Sequence, residues 1–119
     1  PGVQTPGETL RLRSGSCRDF ALLLMDGARF LGLATRYVSG YLCESGSERI
    51  EAASGATHAW TEIYLPGAGW KGFDPTCGVL AADHHVRVAV AREPRQATPI
   101  RGAYGGPHSA FIGIEVTID

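Results

Sequence analysis

Within these 119 residues no stretch approaches the roughly 20 consecutive apolar residues that cross a bilayer, which excludes a membrane-spanning helix from this segment. An excess of one charge is missing too: 11 Lys and Arg stand against 12 Asp and Glu, for a formal net charge of -1. Without a basic surplus no nucleic-acid partner is expected, and without an acidic block there is no solvated acidic arm. Cysteine is scarce. Cys17, Cys43 and Cys77 form no CxxC pair and are odd in number, so a disulfide framework is excluded and at least one thiol stays free. A free thiol favours a reducing compartment, and a cytoplasmic location is expected. The sequence opens Pro1-Gly2-Val3 with neither an initiator Met nor a signal peptide, so residues 1–119 are expected to be one domain excised from a longer protein.

What is present is apolar content of 44%, enough at this length to bury about two thirds of the unfolded surface without a structural metal. The 16 Gly and 7 Pro predict many turns and short strands. From Cys17 to Leu31 the apolar residues Cys17, Phe20, Ala21, Leu24, Ala28 and Leu31 recur at three- and four-residue spacing, which predicts an amphipathic helix stopped by Gly32. Ser16 followed by Asp19 reads as a capping box, which puts Cys17 at the first helical position. Ala34–Leu42 reads as a strand broken or bulged at Gly40, and residues 44–57 as a loop with at most a short strand near Ile50. His58–Leu65 and Trp70–Phe73 flank the turn signal Pro66-Gly67-Ala68-Gly69 and predict a hairpin. Val86–Ala91 and Ala110–Ile118 read as further strands. Helix first, then a mostly antiparallel sheet, is an α+β layout.

The hairpin juxtaposes His58 and Asp74. If Glu62 pairs with Trp70, then His58 pairs with Asp74 on the same face, where a carboxylate fixes the imidazole tautomer and stabilises the imidazolium. Cys17 supplies a nucleophile, because a thiol at a helix N-terminus feels the positive end of the macrodipole and a neighbouring imidazolium lowers its pKa further. The Cys17 backbone amide is one candidate oxyanion donor; the sequence identifies no second.

Four ordered blocks carry a family resemblance: Gly15-Ser16-Cys17-Arg18-Asp19-Phe20, Arg36-Tyr37-Val38-Ser39-Gly40-Tyr41, His58-Ala59-Trp60-Thr61-Glu62 and Trp70-Lys71-Gly72-Phe73-Asp74-Pro75-Thr76. Together they resemble the bacterial transglutaminase-like superfamily, and the stretch from His84 to Gly106 resembles the tail of that core. The resemblance implies a papain-like Cys-His-Asp core with the Cys at the head of a helix packed on a sheet, and it maps onto Cys17, His58 and Asp74. Two departures stand out: Cys77 occupies a position where relatives often carry Asn, and only 16 residues precede Cys17 where relatives usually have a further all-β region.

The expected activity is acyl transfer on an amide bond of a peptide or protein, through a thioester on Cys17, with no cofactor and no metal. Resemblance favours a cysteine peptidase or amidase; a cross-linking protein-glutamine gamma-glutamyltransferase and a non-catalytic peptide-binding domain are the alternatives. Zinc on Cys17, His58, Asp74 and Cys77 is disfavoured, because structural zinc sites present ligand pairs at close spacing. Cys43 and Cys77 read as structural, Asp19 as a cap, Arg18 as a solvated charge, and His84 and His85 as loop or surface residues. Trp60, Trp70 and Phe73 read as core or groove lining, with Trp60 on the His58 face and able to shield the imidazole. Arg36, Tyr37 and Tyr41 fit cleft lining and strand packing equally well. Substrate identity and oligomeric state are left open.

Overall fold

The computed structural model describes residues 3–43, 57–99, 102, 103, 105 and 106. Two helices, α1 (Pro6–Leu12) and α2 (Cys17–Phe30), precede five strands: β1 (Thr35–Leu42), β2 (Thr57–Leu65), β3 (Gly69–Asp74), β4 (Val79–Leu80) and β5 (His85–Ala91). A 3-10 turn follows at Pro94–Ala97. The strands form one antiparallel sheet in the order β4-β3-β2-β1-β5, with α2 packed on one face, so the α+β architecture is the one expected. Among the described residues no helix is long and apolar enough to cross a membrane. Of the expected loop at 44–57, residues 44–56 lie outside the described residues, as does the expected strand at 110–118, and Thr57 instead opens β2.

α2 begins where the capping residues put it. The Asp19 carboxylate accepts the Ser16 backbone N–H at 2.7 Å, the Ser16 hydroxyl at 2.8 Å and the Gln4 N–H at 2.7 Å, tying the chain before the helix to its first turn. Ala21, Met25 and Ala28 form the buried stripe, whereas Leu31, expected on it, is 75% exposed because the helix ends before its side chain comes round to the sheet. Gly32 takes a left-handed φ of 81° and turns the chain into β1. α1 was not foreseen: at seven residues it is too short to show a period, although Thr5 and Glu8 form a capping box around Pro6.

Side chains alternate along β2. Ala59, Thr61 and Ile63 face α2, and His58, Trp60 and Glu62 face the other way. Ala21, Met25, Tyr37, Ala59 and Ala97 make the core, in which small side chains let the helix lie close to the sheet. The Thr61 hydroxyl donates to the Ala21 carbonyl at 2.7 Å and pins the first turns of α2 to the middle of β2.

The hairpin register differs from the expected one. Tyr64 pairs with Trp70 and Glu62 with Gly72, because the turn is tight: Ala68 N–H donates to the Leu65 carbonyl at 3.0 Å, with Gly67 and Gly69 at positive φ. A shift of two residues keeps every side chain on its face, so His58 and Asp74 become diagonal rather than direct neighbours.

β4 and β5 lie at opposite edges of the sheet, and the connection between them crosses the face that carries His58 and Trp60. Ala81 N–H donates to the Gly72 carbonyl at 2.9 Å, and a Cβ on Gly72 would lie 2.5 Å from that of Ala81. Gly40 is equally constrained, since a Cβ there would run into the Val86 carbonyl oxygen and the Trp60 ring. The irregularity expected at Gly40 is present as a register shift against β5, which pairs Ser39 with Ala89 and Gly40 with Arg87.

Two glycines therefore predict opposite outcomes. Gly40→Ala should destabilise the protein by about 2 kcal/mol or more through overpacking, whereas Gly27→Ala, in α2 with open space around it, should stabilise it by about 0.5–1 kcal/mol. Urea unfolding midpoints of both variants against the parent chain check the pair.

Candidate active site

Cys17 is the first residue of α2, half-buried, and it packs against the core cluster. Its thiol hydrogen-bonds the His58 ring and accepts the Ala59 backbone N–H. The latter donor is available because β3 pairs with β2 only from Thr61 onward, which leaves the Ala59 end of that edge uncovered. His58 Nε2 lies 2.8 Å from Asp74 Oδ2, so Nδ1 is the nitrogen left for the sulfur. His58 and Asp74 side chains are 4% and 0% exposed. Sulfur, imidazole and carboxylate from α2, β2 and β3 thus form one connected chain.

The Asp74 carboxylate is saturated with donors. Oδ1 accepts Thr76 N–H at 2.9 Å and Cys77 N–H at 3.2 Å, Oδ2 faces both His58 and His85, and the Cys77 thiol adds a further donor. Burial pushes the Asp74 carboxyl up, but its hydrogen bonds from His58 and His85 and the His58 charge outweigh burial and hold it well below the usual carboxylate range. For His58, burial disfavours the charge; Asp74 and Cys17 overcome it and raise the imidazole to about 9. For Cys17, burial again opposes ionisation, and the His58 hydrogen bond and charge, the Ala59 amide and the Arg18 charge reverse it, so its pKa is lowered. The arrangement stabilises a thiolate–imidazolium pair.

His85 is the site residue that the sequence did not reveal. Expected as a loop or surface residue, it instead places Nε2 3.0 Å from Asp74 Oδ2 with its side chain 2% exposed, while His84 does remain at the surface. Its approach depends on the β4–β5 crossover, which leaves no local period in the sequence; the only signal available was its place at the head of a strand. Cys77, expected to be structural, is buried and donates to Asp74.

His58, Asp74 and Cys77 bring ligand atoms within 4.8 Å of one another, a spacing that a cation would accept. Burial and the hydrogen bond to Asp74 push the Cys77 thiol up to about 11, so it stays protonated and serves as a donor. Hydrogen bonds join His58 and Cys77 to Asp74.

A hollow of about 150 Å³ opens beside Cys17 and His58, lined also by Tyr37, Ser39 and Thr57. It adjoins two others of about 240 and 120 Å³ through shared wall residues that include Pro99, so a groove runs past the sulfur. Tyr37 belongs to this wall and Tyr41 to the adjoining hollow. Arg36 does not: its guanidinium sits 4.2 Å over the half-exposed Trp70 ring and pairs with Glu62 on the opposite face of the sheet. Trp60 is buried, stacks on His58 with ring centroids 6.3 Å apart and meets His85 edge-on at 5.1 Å, on the face expected for it.

A model of the transglutaminase-like superfamily matches residues 1–75, a span that holds Cys17, His58 and Asp74 and ends before Cys77 and His85. Uncharacterized protein ML0607 of Mycobacterium leprae is 32% identical over 119 residues, covering 98% of this chain and 42% of its own length. Uncharacterized protein Rv2569c of Mycobacterium tuberculosis is 34% identical, covering 93% of this chain and 38% of its own length. Uncharacterized protein YebA of Bacillus subtilis is 32% identical over 73 residues, 56% of this chain and 10% of its own. The chain therefore spans about two fifths of the mycobacterial relatives. No solved structure matches it significantly.

The His58 proton generates a pH prediction. Because its folded pKa of about 9 lies above the ordinary 6.5, it contributes stability that is full below about pH 6.5 and is lost as pH rises through 9. Nuclear magnetic resonance titration should place the His58 imidazole near 9 in the parent chain and clearly lower in Asp74→Asn. Trp60→Ala, by opening the ring to water and relieving the burial that opposes its charge, should raise it, and an unchanged titration would show that Trp60 does not shield the imidazole.

Proposed function

The chain belongs to the transglutaminase-like superfamily, and from that premise we propose that it is a cysteine-nucleophile acyl-transfer enzyme acting on amide bonds of a peptide or protein, in its simplest form a peptidase or amidase. The observation that carries this reading is the connected chain from Cys17 through His58 to the buried Asp74. In this mechanism the Cys17 thiolate attacks the carbonyl carbon and the carbonyl oxygen takes up the negative charge. The first backbone amide of α2 has no intrahelical partner and is available to that oxygen.

His58 then gives its Nδ1 proton to the leaving nitrogen as the C–N bond breaks, which releases an amine and leaves a thioester on Cys17. Asp74 keeps the Nε2 proton in place throughout and so makes Nδ1 the nitrogen that exchanges protons. In the second half a water loses a proton to Nδ1 and attacks the thioester, and the thiolate departs as the carboxylic acid is released. The exposed rim of the hollow, formed by Ser16, Arg18, Thr57 and Pro99, supports water as the acceptor. A nucleophile that must stay reduced fits the cytoplasm, where we place this activity.

Incubation with a peptide and amine library, followed by mass spectrometry of products and of acid-quenched protein, tests the reading. Hydrolysed peptides and an acyl adduct on Cys17 are expected, with both absent in Cys17→Ala and turnover reduced about a hundredfold or more in His58→Ala. Amine-linked products would make the protein a cross-linking transglutaminase. Neither product nor adduct would leave a peptide-binding domain.

A further inference from the structure

His85 approaches the site from an unexpected direction. Its strand, β5, lies at the sheet edge remote from β3, and the segment that delivers it lies across the sheet over Gly72. At the end of this crossover, His85 N–H donates to the Ala82 carbonyl at 2.8 Å, and Ala82 N–H points at His85 Nδ1 at 3.4 Å. A neutral imidazole that accepts at Nδ1 carries its proton on Nε2. That nitrogen lies 3.0 Å from Asp74 Oδ2, and the ring is held edge-on against Trp60. Its donor state is thus fixed by a backbone amide and its position by a tryptophan, neither of which belongs to the reacting chain.

We propose that His85 is a positioning residue: its Nε2–H fixes Oδ2 of Asp74 so that the carboxylate stays aligned on His58 Nε2 and holds the imidazolium that keeps Cys17 ionised. The proposal rests on the Cys17–His58–Asp74 reading and extends it beyond the span matched by the family model. Oδ1 is tethered to the turn after β3 through the Thr76 and Cys77 amides; the rings at Oδ2 are His85 and His58, and His58 is the one that exchanges protons in the proposed reaction. Without His85 the carboxylate would rotate about its bond to the turn and the Asp74–His58 alignment would loosen. Among the described residues, the ionisable groups facing Asp74 are His58, His85 and Cys77, with Cys17 beyond His58. On the open side of His85 a pocket is lined by Glu62, Lys71 and Arg87, and Glu62 is itself held by Arg36 and Arg87.

Two substitutions separate donation from packing. His85→Phe keeps a ring against Trp60 and loses the donor; His85→Gln loses the ring and keeps an N–H near the position of Nε2. The measurement is the rate of Cys17 alkylation by iodoacetamide against pH, followed by peptide mapping so that Cys43 and Cys77 do not contribute, with Asp74→Asn as the reference and thermal midpoints recorded in parallel. His85→Phe should move the rise in Cys17 reactivity upward by about one pH unit, so that the rate below the midpoint falls about tenfold, and Asp74→Asn should move it at least as far. His85→Gln should stay within about twofold of the parent chain even where its thermal midpoint falls. If the phenylalanine variant does not fold, His85→Met is read in its place. An unshifted profile in His85→Phe beside a shifted one in Asp74→Asn would overturn the role of His85 alone, as would equal losses in Phe and Gln. An ordinary thiol profile shared by the parent chain and Asp74→Asn would overturn the catalytic reading and this proposal together.

Discussion

A carboxylate sealed at the end of an interior strand is the constraint around which this molecule is arranged. Removing an ionised group from water costs several kcal/mol unless every lone pair is answered, and Asp74 is fully buried. Two backbone amides, two imidazoles and a thiol answer it, and they come from β2, from β5 and from the turn after β3. Once its charge is stabilised in this way, Asp74 becomes a fixed negative potential beside His58. The imidazolium and the thiolate follow from that potential in sequence, which is why the pKa of the carboxyl lies below its ordinary value, that of the imidazole above, and that of the thiol below.

The rest of the fold holds the sulfur at the other end of this chain. Asp19 fastens the head of α2, Thr61 pins its next turn to β2, and the alanines between helix and sheet set the distance of approach. The uncovered end of β2 then turns the Ala59 amide toward Cys17, a donor that a fully paired strand would have spent on its neighbour. Gly72 and Gly40 serve the carboxylate end, since the crossover that brings His85 lies against Gly72 and the strand it leads into lies against Gly40. Core packing and site chemistry therefore share the same contacts.

The parts of this arrangement that sequence made legible are those encoded by short-range pattern. The α2 boundary followed from Ser16, Asp19 and Gly32, the hairpin from Pro66 to Gly69, and the meeting of His58 with Asp74 from strand parity, which survived a register error because the error was two residues rather than one. The family blocks sharpened the choice of hairpin register. What escaped depends on long-range placement. His85 touches Asp74 only because the chain crosses the sheet between β4 and β5, and Met25 in place of Leu31 completes the buried stripe because of where the helix stops. α1 is carried by a cap and a proline on seven residues, too few for a hydrophobic period to form.

The central claim is that Cys17 ionises below the ordinary thiol range because a buried Asp74 holds His58 protonated. Ultraviolet absorbance of the thiolate, taken as the difference between the parent chain and Cys17→Ala across a pH series, reads this state without a substrate. The account predicts that this thiolate appears below the ordinary thiol range, because the His58 hydrogen bond and charge lower the Cys17 pKa. A difference that appears only as pH passes the ordinary thiol pKa of about 8.5 would contradict it.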